Sequence, residues 1–434
     1  MDADFEKTLA DRVTQLRGAH RLPSLTVAVA QHDALLATAS TGLADVENRV
    51  PACHDSVYRI GSITKTFTAA LALLLVDQRR LDLDAPVGHY LPATSFGRVP
   101  LRMLLAHCGG LQREVPVDMW ASMLGPSESE LHEAFTRVEM VGEPGQRWQY
   151  SNLGYAAIGA VIEHITGRPC AELISETLLM PLGLRRTTWL PPADAVVGYR
   201  IDPFIDAFHR EPVMDMAANA VIGQLWSTPT DLLRWGNALI GAEPDVLPRS
   251  VVDAMHTVQV MADTRSWTRA WGLGLILDRR TDHVLAGHLG GMPGFHAALT
   301  TDRASGTVVA ACTNATRGIT LTELVCDVTD QAAAAHPPAA PVWQPAPPCP
   351  EEIRQILGGW WCEADENVFT WRHDGLHAHL ASDPEHTDTR FTIEAPGVYQ
   401  AVEGRYQGEP VTVVHTAAGI ELRWATYPFT RLPG

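Results

Sequence analysis

The chain has 434 residues, is 46% hydrophobic and carries a formal net charge of −17. It is long enough to bury a large core over two or three domains and too apolar to be disordered. Its acidity argues against nucleic acid and anionic membrane surfaces, which need a basic footprint, and otherwise names no partner, because surplus carboxylates mainly keep a surface solvated.

Residues 1–22 form a polar amphipathic pattern (Phe5, Leu9, Val13, Leu16) without the unbroken apolar core of a signal peptide. No apolar run is long enough to span a bilayer, so a cytoplasmic location is expected. Seven cysteines, an odd number, show no C-x-x-C pair and no His/Cys cluster. Buried free thiols are expected, with no disulfide framework and no structural metal.

Residues 24–31 and 35–41 are rich in Val, Leu, Ala and Thr around a polar turn at His32-Asp33, which predicts a hairpin. After Arg59-Ile60-Gly61 the apolar residues Phe67, Leu71, Leu74 and Leu75 recur at helical spacing. Ser62 then falls on the first turn of a buried helix and Lys65 three positions later, so the two side chains meet. A serine hydroxyl is a weak nucleophile at neutral pH; a desolvated lysine can take its proton, and the helix N-terminus favours the attacking oxygen. Lys7 and Lys65 are the only lysines, every other basic residue being an arginine, which cannot act as a base. A lysine that merely snorkels near a helix start has the same spacing. The helix is expected to run on until Asp82, Asp84 and Pro86 stop it.

Residues 82–255 read as mostly helical, with frequent Gly and Pro breaks. Within them 101–107 is a short buried helix closed by Cys108-Gly109-Gly110, and its His107 reads as a structural partner rather than a catalyst. Glu143-Pro144-Gly145 turns the chain into Trp148-Gln149-Tyr150-Ser151-Asn152, and a helix over 153–165 ends at Gly167. Strands are predicted over 271–277, 284–289, 295–301 and 307–313, followed by a helix over 321–335. Early strands, a helical middle and late strands make 1–336 one layered α/β domain with a helical insert over 82–255. A proline-rich linker follows over 337–350. In 351–434 short alternating runs at 368–372, 376–380, 391–393, 398–402, 411–415 and 420–424, with a tight turn at Asp374-Gly375, predict a small antiparallel barrel.

Ser62-Ile63-Thr64-Lys65, Tyr150-Ser151-Asn152 and His288-Leu289-Gly290 stand in this order. Together they resemble the S-x-x-K, Y-x-N and K/H-x-G motifs of the serine β-lactamase, penicillin-binding-protein and D-aminopeptidase superfamily, over about residues 10–335. The resemblance implies a β-lactamase-like antiparallel sheet flanked by helices, an all-helical subdomain, and an active site between them. It makes Ser62 the acylated nucleophile and Lys65, with the Tyr150 phenol, the acceptor of its proton. The Asn152 amide would orient Lys65 and hold a substrate carbonyl. The backbone N–H groups of Ser62 and Gly291 would form the oxyanion hole, with Gly290 beside the substrate. The third motif begins with His288 where β-lactamases and carboxypeptidases usually carry lysine. A largely neutral imidazole is a weaker carboxylate anchor, which favours the esterase, aminopeptidase or acyl-transfer branches.

Such a catalytic domain joined by a proline-rich linker to a small lipocalin-like barrel resembles the penicillin-binding-protein-type thioesterases, stand-alone cyclases of nonribosomal peptides. This implies a cofactor-free enzyme acting on a peptidyl thioester held by a carrier protein. Peptidyl-Ser62 would form and then close head-to-tail on the peptide's own amine. Trp226 is expected either beside the cleft, shaping a pocket for an apolar peptide, or in the core. Arg431 is expected either to reach the cleft or to lie on the surface, and the barrel either to contact substrate or only to pack. A cytoplasmic serine esterase or D-aminopeptidase-like hydrolase is the alternative function, and a non-catalytic binding protein a third.

Overall fold

The computed structural model describes residues 3–337, 343–417 and 419–433. The chain divides into two compact units, Met1–Pro338 and Ala339–Gly434. Of the linker expected over 337–350, residues 338–342 lie outside the described residues.

The first unit is built on a nine-stranded antiparallel sheet in which both ends of the unit meet. Ser24–Gln31 pairs with Ala34–Asp45 on one side and with Thr307–Thr313 on the other, in the register Leu25↔Thr313. His32 and Asp33 close the hairpin with φ of 47° and 65°, the left-handed turn that matches strand twist. Side chains alternate across the sheet. Val27 and Val29 pack under the helices Ala3–Ala19 and Leu321–Ala335, whereas Ala28 and Ala30 face the main core with Phe67 and Trp235. Every residue of Ser24–Gln31 and of Thr307–Thr313 is buried, because helices cover both faces.

The helix Thr64–Asp77 is almost wholly buried. It stops well before Pro86: Gln78 caps it and Arg79 takes φ 57°, so a left-handed residue rather than the proline ends it. The strand expected over 271–277 is two strands, Arg269–Trp271 and Ile276–Arg279. Gly274 at φ 88° breaks the run, and a Cβ on Gly272 would lie 2.0 Å from the Met255 carbonyl oxygen. Val284–Met292 runs past its neighbour, since Ile276–Arg279 pairs no further than Gly287. From His288 onward this strand therefore keeps Phe295–Asp302 on one side and leaves its other edge to a cleft.

The second unit is eight antiparallel strands in sequence order. Reciprocal hydrogen bonds between Trp361 and Thr430, 2.7 and 2.9 Å, join the first strand to the end of the last and close a barrel. Trp360, Phe369, Phe391, Tyr399 and Trp424 fill its interior. The first strand, Gly358–Cys362, and the last, Tyr427–Phe429, are absent from the sequence prediction, being short and lacking clear alternation. All seven cysteines are free, and four of them are buried. Among the described residues no helix is long and apolar enough to cross a membrane.

Candidate active site

Close backbone approach sets the site. Gly61 adopts φ 51°, and a Cβ there would lie 2.7 Å from the Gly291 nitrogen. A Cβ on Gly290 would lie 1.9 Å from the Ile60 carbonyl oxygen and 3.4 Å from the Ser62 nitrogen. Only glycine fits these places, and the contact sets the Ser62 and Gly291 amides alongside each other. Two such amides can stabilise an oxyanion. Ser62 itself sits in a 3-10 turn, Gly61–Ile63, that leads into the helix Thr64–Asp77.

Lys65 is fully buried. Its Nζ donates to Ser62 Oγ at 3.0 Å and to the Ile222 carbonyl at 2.6 Å. Burial lowers this amine from the ordinary lysine value of 10.5 to about 7; the nearby Glu114 carboxylate opposes that fall and the Arg113 guanidinium adds to it. Burial raises the Tyr150 phenol far above the usual phenol range, and the neighbouring Ser62 side chain offsets only part of that rise. In the resting site the phenol is thus a neutral donor, and the amine is the group able to take a proton at neutral pH. Lys65 Nζ stands 5.3 Å from the centre of the Tyr150 ring.

His288 lies on the open part of the strand Val284–Met292. Its Nδ1 is 2.6 Å from the Leu289 carbonyl, which makes Nδ1 the donor; Nε2 has no hydrogen-bond partner among the described residues. Burial, helped by the charge of Lys65, pushes it down to about 3, so the imidazole is neutral. A neutral ring cannot anchor a carboxylate as a lysine would.

One expected placement differs, that of Asn152, while Trp226 takes the core alternative and Arg431 bonds within its own unit. The Asn152 amide does not reach Lys65: its Nδ2 donates to Glu114 Oε1 at 2.7 Å, and the Ile222 carbonyl takes the place it was expected to fill. Trp226 is 1% exposed and belongs to the core; its ring meets Phe295 edge-on at 5.2 Å, and the Arg59 guanidinium stands 5.8 Å from its centre. It does not line the cleft. Arg431 is occupied within the barrel unit, where its guanidinium donates to the carbonyls of Gln355 at 2.6 Å, Leu357 at 2.9 Å and Gly359 at 3.0 Å and stacks 3.9 Å from the Trp360 ring centre.

Ser62, Tyr150, His288, Gly290 and Gly291 share one cavity of about 440 Å³, whose remaining wall includes Trp148, Trp271, Ile276, Leu289, Ile319, Leu321 and Arg113. Most of that wall is aromatic or aliphatic, which suits an apolar acyl chain. Arg113, Glu114, Trp271 and the Ile222 carbonyl have no part in the sequence-derived site. No spacing rule ties them to the motifs, and a backbone carbonyl leaves no mark in a sequence at all.

Residues 9–324 match the Beta-lactamase family, and residues 349–431 match a domain of unknown function (DUF7586). Esterase EstB of Burkholderia gladioli is 29% identical over 327 residues, 66% of this chain and 81% of EstB. Penicillin-binding protein 4 of Amycolatopsis lactamdurans is 27% identical over 380 residues, 80% of this chain and 95% of that protein. Among solved structures, SurE aligns over 99% of this chain and 100% of its own with a TM-score of 0.66 and 26% identity.

Proposed function

From the premise that the chain belongs to the β-lactamase family of serine hydrolases, we propose that it releases a nonribosomal peptide from a carrier-bound thioester and closes it head-to-tail through a peptidyl-Ser62 ester. The observation that carries this reading is the 3.0 Å contact between Ser62 Oγ and a buried amine that titrates near 7. Lys65 takes the Ser62 proton as the oxygen attacks the thioester carbonyl, and the Ser62 and Gly291 amides hold the oxyanion. Tyr150, beside Ser62, passes a proton to the departing carrier thiolate and takes its replacement from the Lys65 ammonium. In the second half the peptide's own amine attacks the ester, gives up a proton through Tyr150 and Lys65, and Ser62 regains its hydrogen.

Three observations support amine attack over carboxypeptidase chemistry. The neutral His288 offers no cation at the position where carboxypeptidases usually carry a lysine. The aromatic and aliphatic wall disfavours water. The likeness to SurE extends through both units, the plan that the resemblance to the penicillin-binding-protein-type thioesterases implies. A peptidyl N-acetylcysteamine thioester with a D residue at its C-terminus tests the reading: a cyclic product is expected by mass spectrometry, and linear acid alone from a broad panel would overturn it.

A hydrolase is the second reading, favoured by the match to 81% of EstB. It keeps the same acyl-enzyme and lets water finish the reaction. Simple p-nitrophenyl esters turned over far faster than any peptidyl thioester would select it.

A further inference from the structure

The residue before Ser151 must present its phenol to Ser62, yet 148–151 form neither helix nor strand. Something outside that segment has to hold it. The helix Leu101–Leu105 ends just upstream of His107, which takes φ 56°, a left-handed conformation uncommon for a residue with a side chain. In that conformation the His107 carbonyl accepts from the Gln149 N–H at 2.6 Å, and its ring Nδ1 accepts from the Ser151 N–H at 3.1 Å. Tyr150 lies between these two anchors, and its ring stacks on the same imidazole at 4.2 Å and 28°.

We propose that His107 is the positioning residue for the Tyr150 phenol, gripping the backbone on both sides of residue 150 and the ring between them. This rests on the reading that Tyr150 moves protons during acyl transfer. The grip dictates the state of the imidazole. Nδ1 must offer a lone pair, so the ring is neutral with its hydrogen on Nε2. That nitrogen has no hydrogen-bond partner among the described residues, and the centres of the Tyr155 and Trp271 rings lie 5.1 Å from the centre of the imidazole. Burial foremost, then the charge of Lys65, holds the imidazole well below its ordinary value, which keeps the grip intact across the working pH range. No aliphatic residue supplies both a flat face and an acceptor at this place.

A double-mutant cycle on p-nitrophenyl ester turnover tests the proposal. His107→Phe keeps a flat ring but leaves the Ser151 N–H without its acceptor; it should lower kcat about 10- to 100-fold with little change in KM, as a small misplacement of a reacting group does. His107→Asn supplies a side-chain carbonyl and tolerates positive φ, so it should recover most of that loss. His107→Phe combined with Tyr150→Phe should be no slower than Tyr150→Phe alone, because the two residues act as one unit. Thermal melting of each variant separates misfolding from misplacement. Losses that multiply in the double variant, or turnover by both His107 variants within about twofold of wild type, would overturn the proposal while leaving the acyl-enzyme reading in place. A wild type that neither turns over esters nor labels at Ser62 with a fluorophosphonate would overturn both.

Discussion

The Nζ of Lys65 lies 2.6 Å from the carbonyl oxygen of Ile222, a shorter contact than its 3.0 Å to Ser62 Oγ. A neutral amine that donates one N–H to that carbonyl can turn its lone pair to the serine hydroxyl. Charged, the same group has only donors to offer and cannot take the proton.

Acylation should therefore rise with pH through a single ionisation near 7 and level off above it, since the amine must be neutral to act. His288 titrates at about 3 and contributes no limb between pH 5 and 9. The pre-steady-state burst of p-nitrophenol, followed across this range, checks the profile; a flat curve, or one still climbing at pH 9.5, rules out the lysine as base. Lys65→Arg keeps the charge and should cost roughly a thousandfold or more, because a guanidinium cannot deprotonate.

The glycine pair makes a second, steric prediction. A Cβ on Gly290 would sit 1.9 Å from the Ile60 carbonyl oxygen, so Gly290→Ala must push the strand away from the Ser62 turn. That separation spoils the amide pair. A fall in kcat of about 100-fold is expected, the scale for loss of one oxyanion donor, together with a measurable drop in melting temperature. Gly167→Ala is the control: nothing lies within 4 Å of its Cβ, and its strain comes from φ 68° alone, so stability should fall while turnover per folded molecule holds.

How far the site can be read in sequence depends on how each residue is fixed. Ser62 and Lys65 are legible because helical spacing alone makes them neighbours, and the near absence of other lysines singles out the second. The helix Leu321–Ala335 and the strand Thr307–Thr313 follow from uninterrupted periodicity and apolar runs. The pairing of Asn152 with Glu114, and of Lys65 with Ile222, comes from chain segments whose approach is decided by packing of the whole helical region. The break at Gly272 and Gly274 is visible as composition, but its cause, the Met255 carbonyl, is a tertiary neighbour. Trp226 shows the same limit: the sequence leaves its indole open between cleft and core, and packing turns it inward.

That inward placement gives the third prediction. Trp226 packs on Phe295 and under Arg59 with 1% of its surface exposed, so Trp226→Ala should cost about 3–5 kcal/mol of stability by removing a large buried ring. Urea unfolding measures the loss. Because the ring does not line the cavity, KM for a series of acyl esters should keep its rank order in the folded variant. A reordering of substrates would return Trp226 to the specificity pocket.

The last prediction concerns what the buried amine does to folding. In the unfolded chain Lys65 titrates near its ordinary 10.5, and in the fold near 7. Between those values the unfolded state holds a proton that the folded state lacks, so this group makes stability rise as pH climbs from 7 to 10.5 and adds a constant penalty below 7. Lys65→Met removes the penalty and keeps the volume, at the cost of leaving the Ile222 carbonyl without its donor. The net gain at pH 6 should be about 1–3 kcal/mol, shrinking toward zero and then reversing as pH approaches 10. Activity should vanish in the same variant. Paired urea titrations of wild type and variant at pH 6, 8 and 10 read the difference directly; a variant less stable than wild type at pH 6 would mean that the amine is not held neutral by burial, and the base role proposed for it would fall with that result.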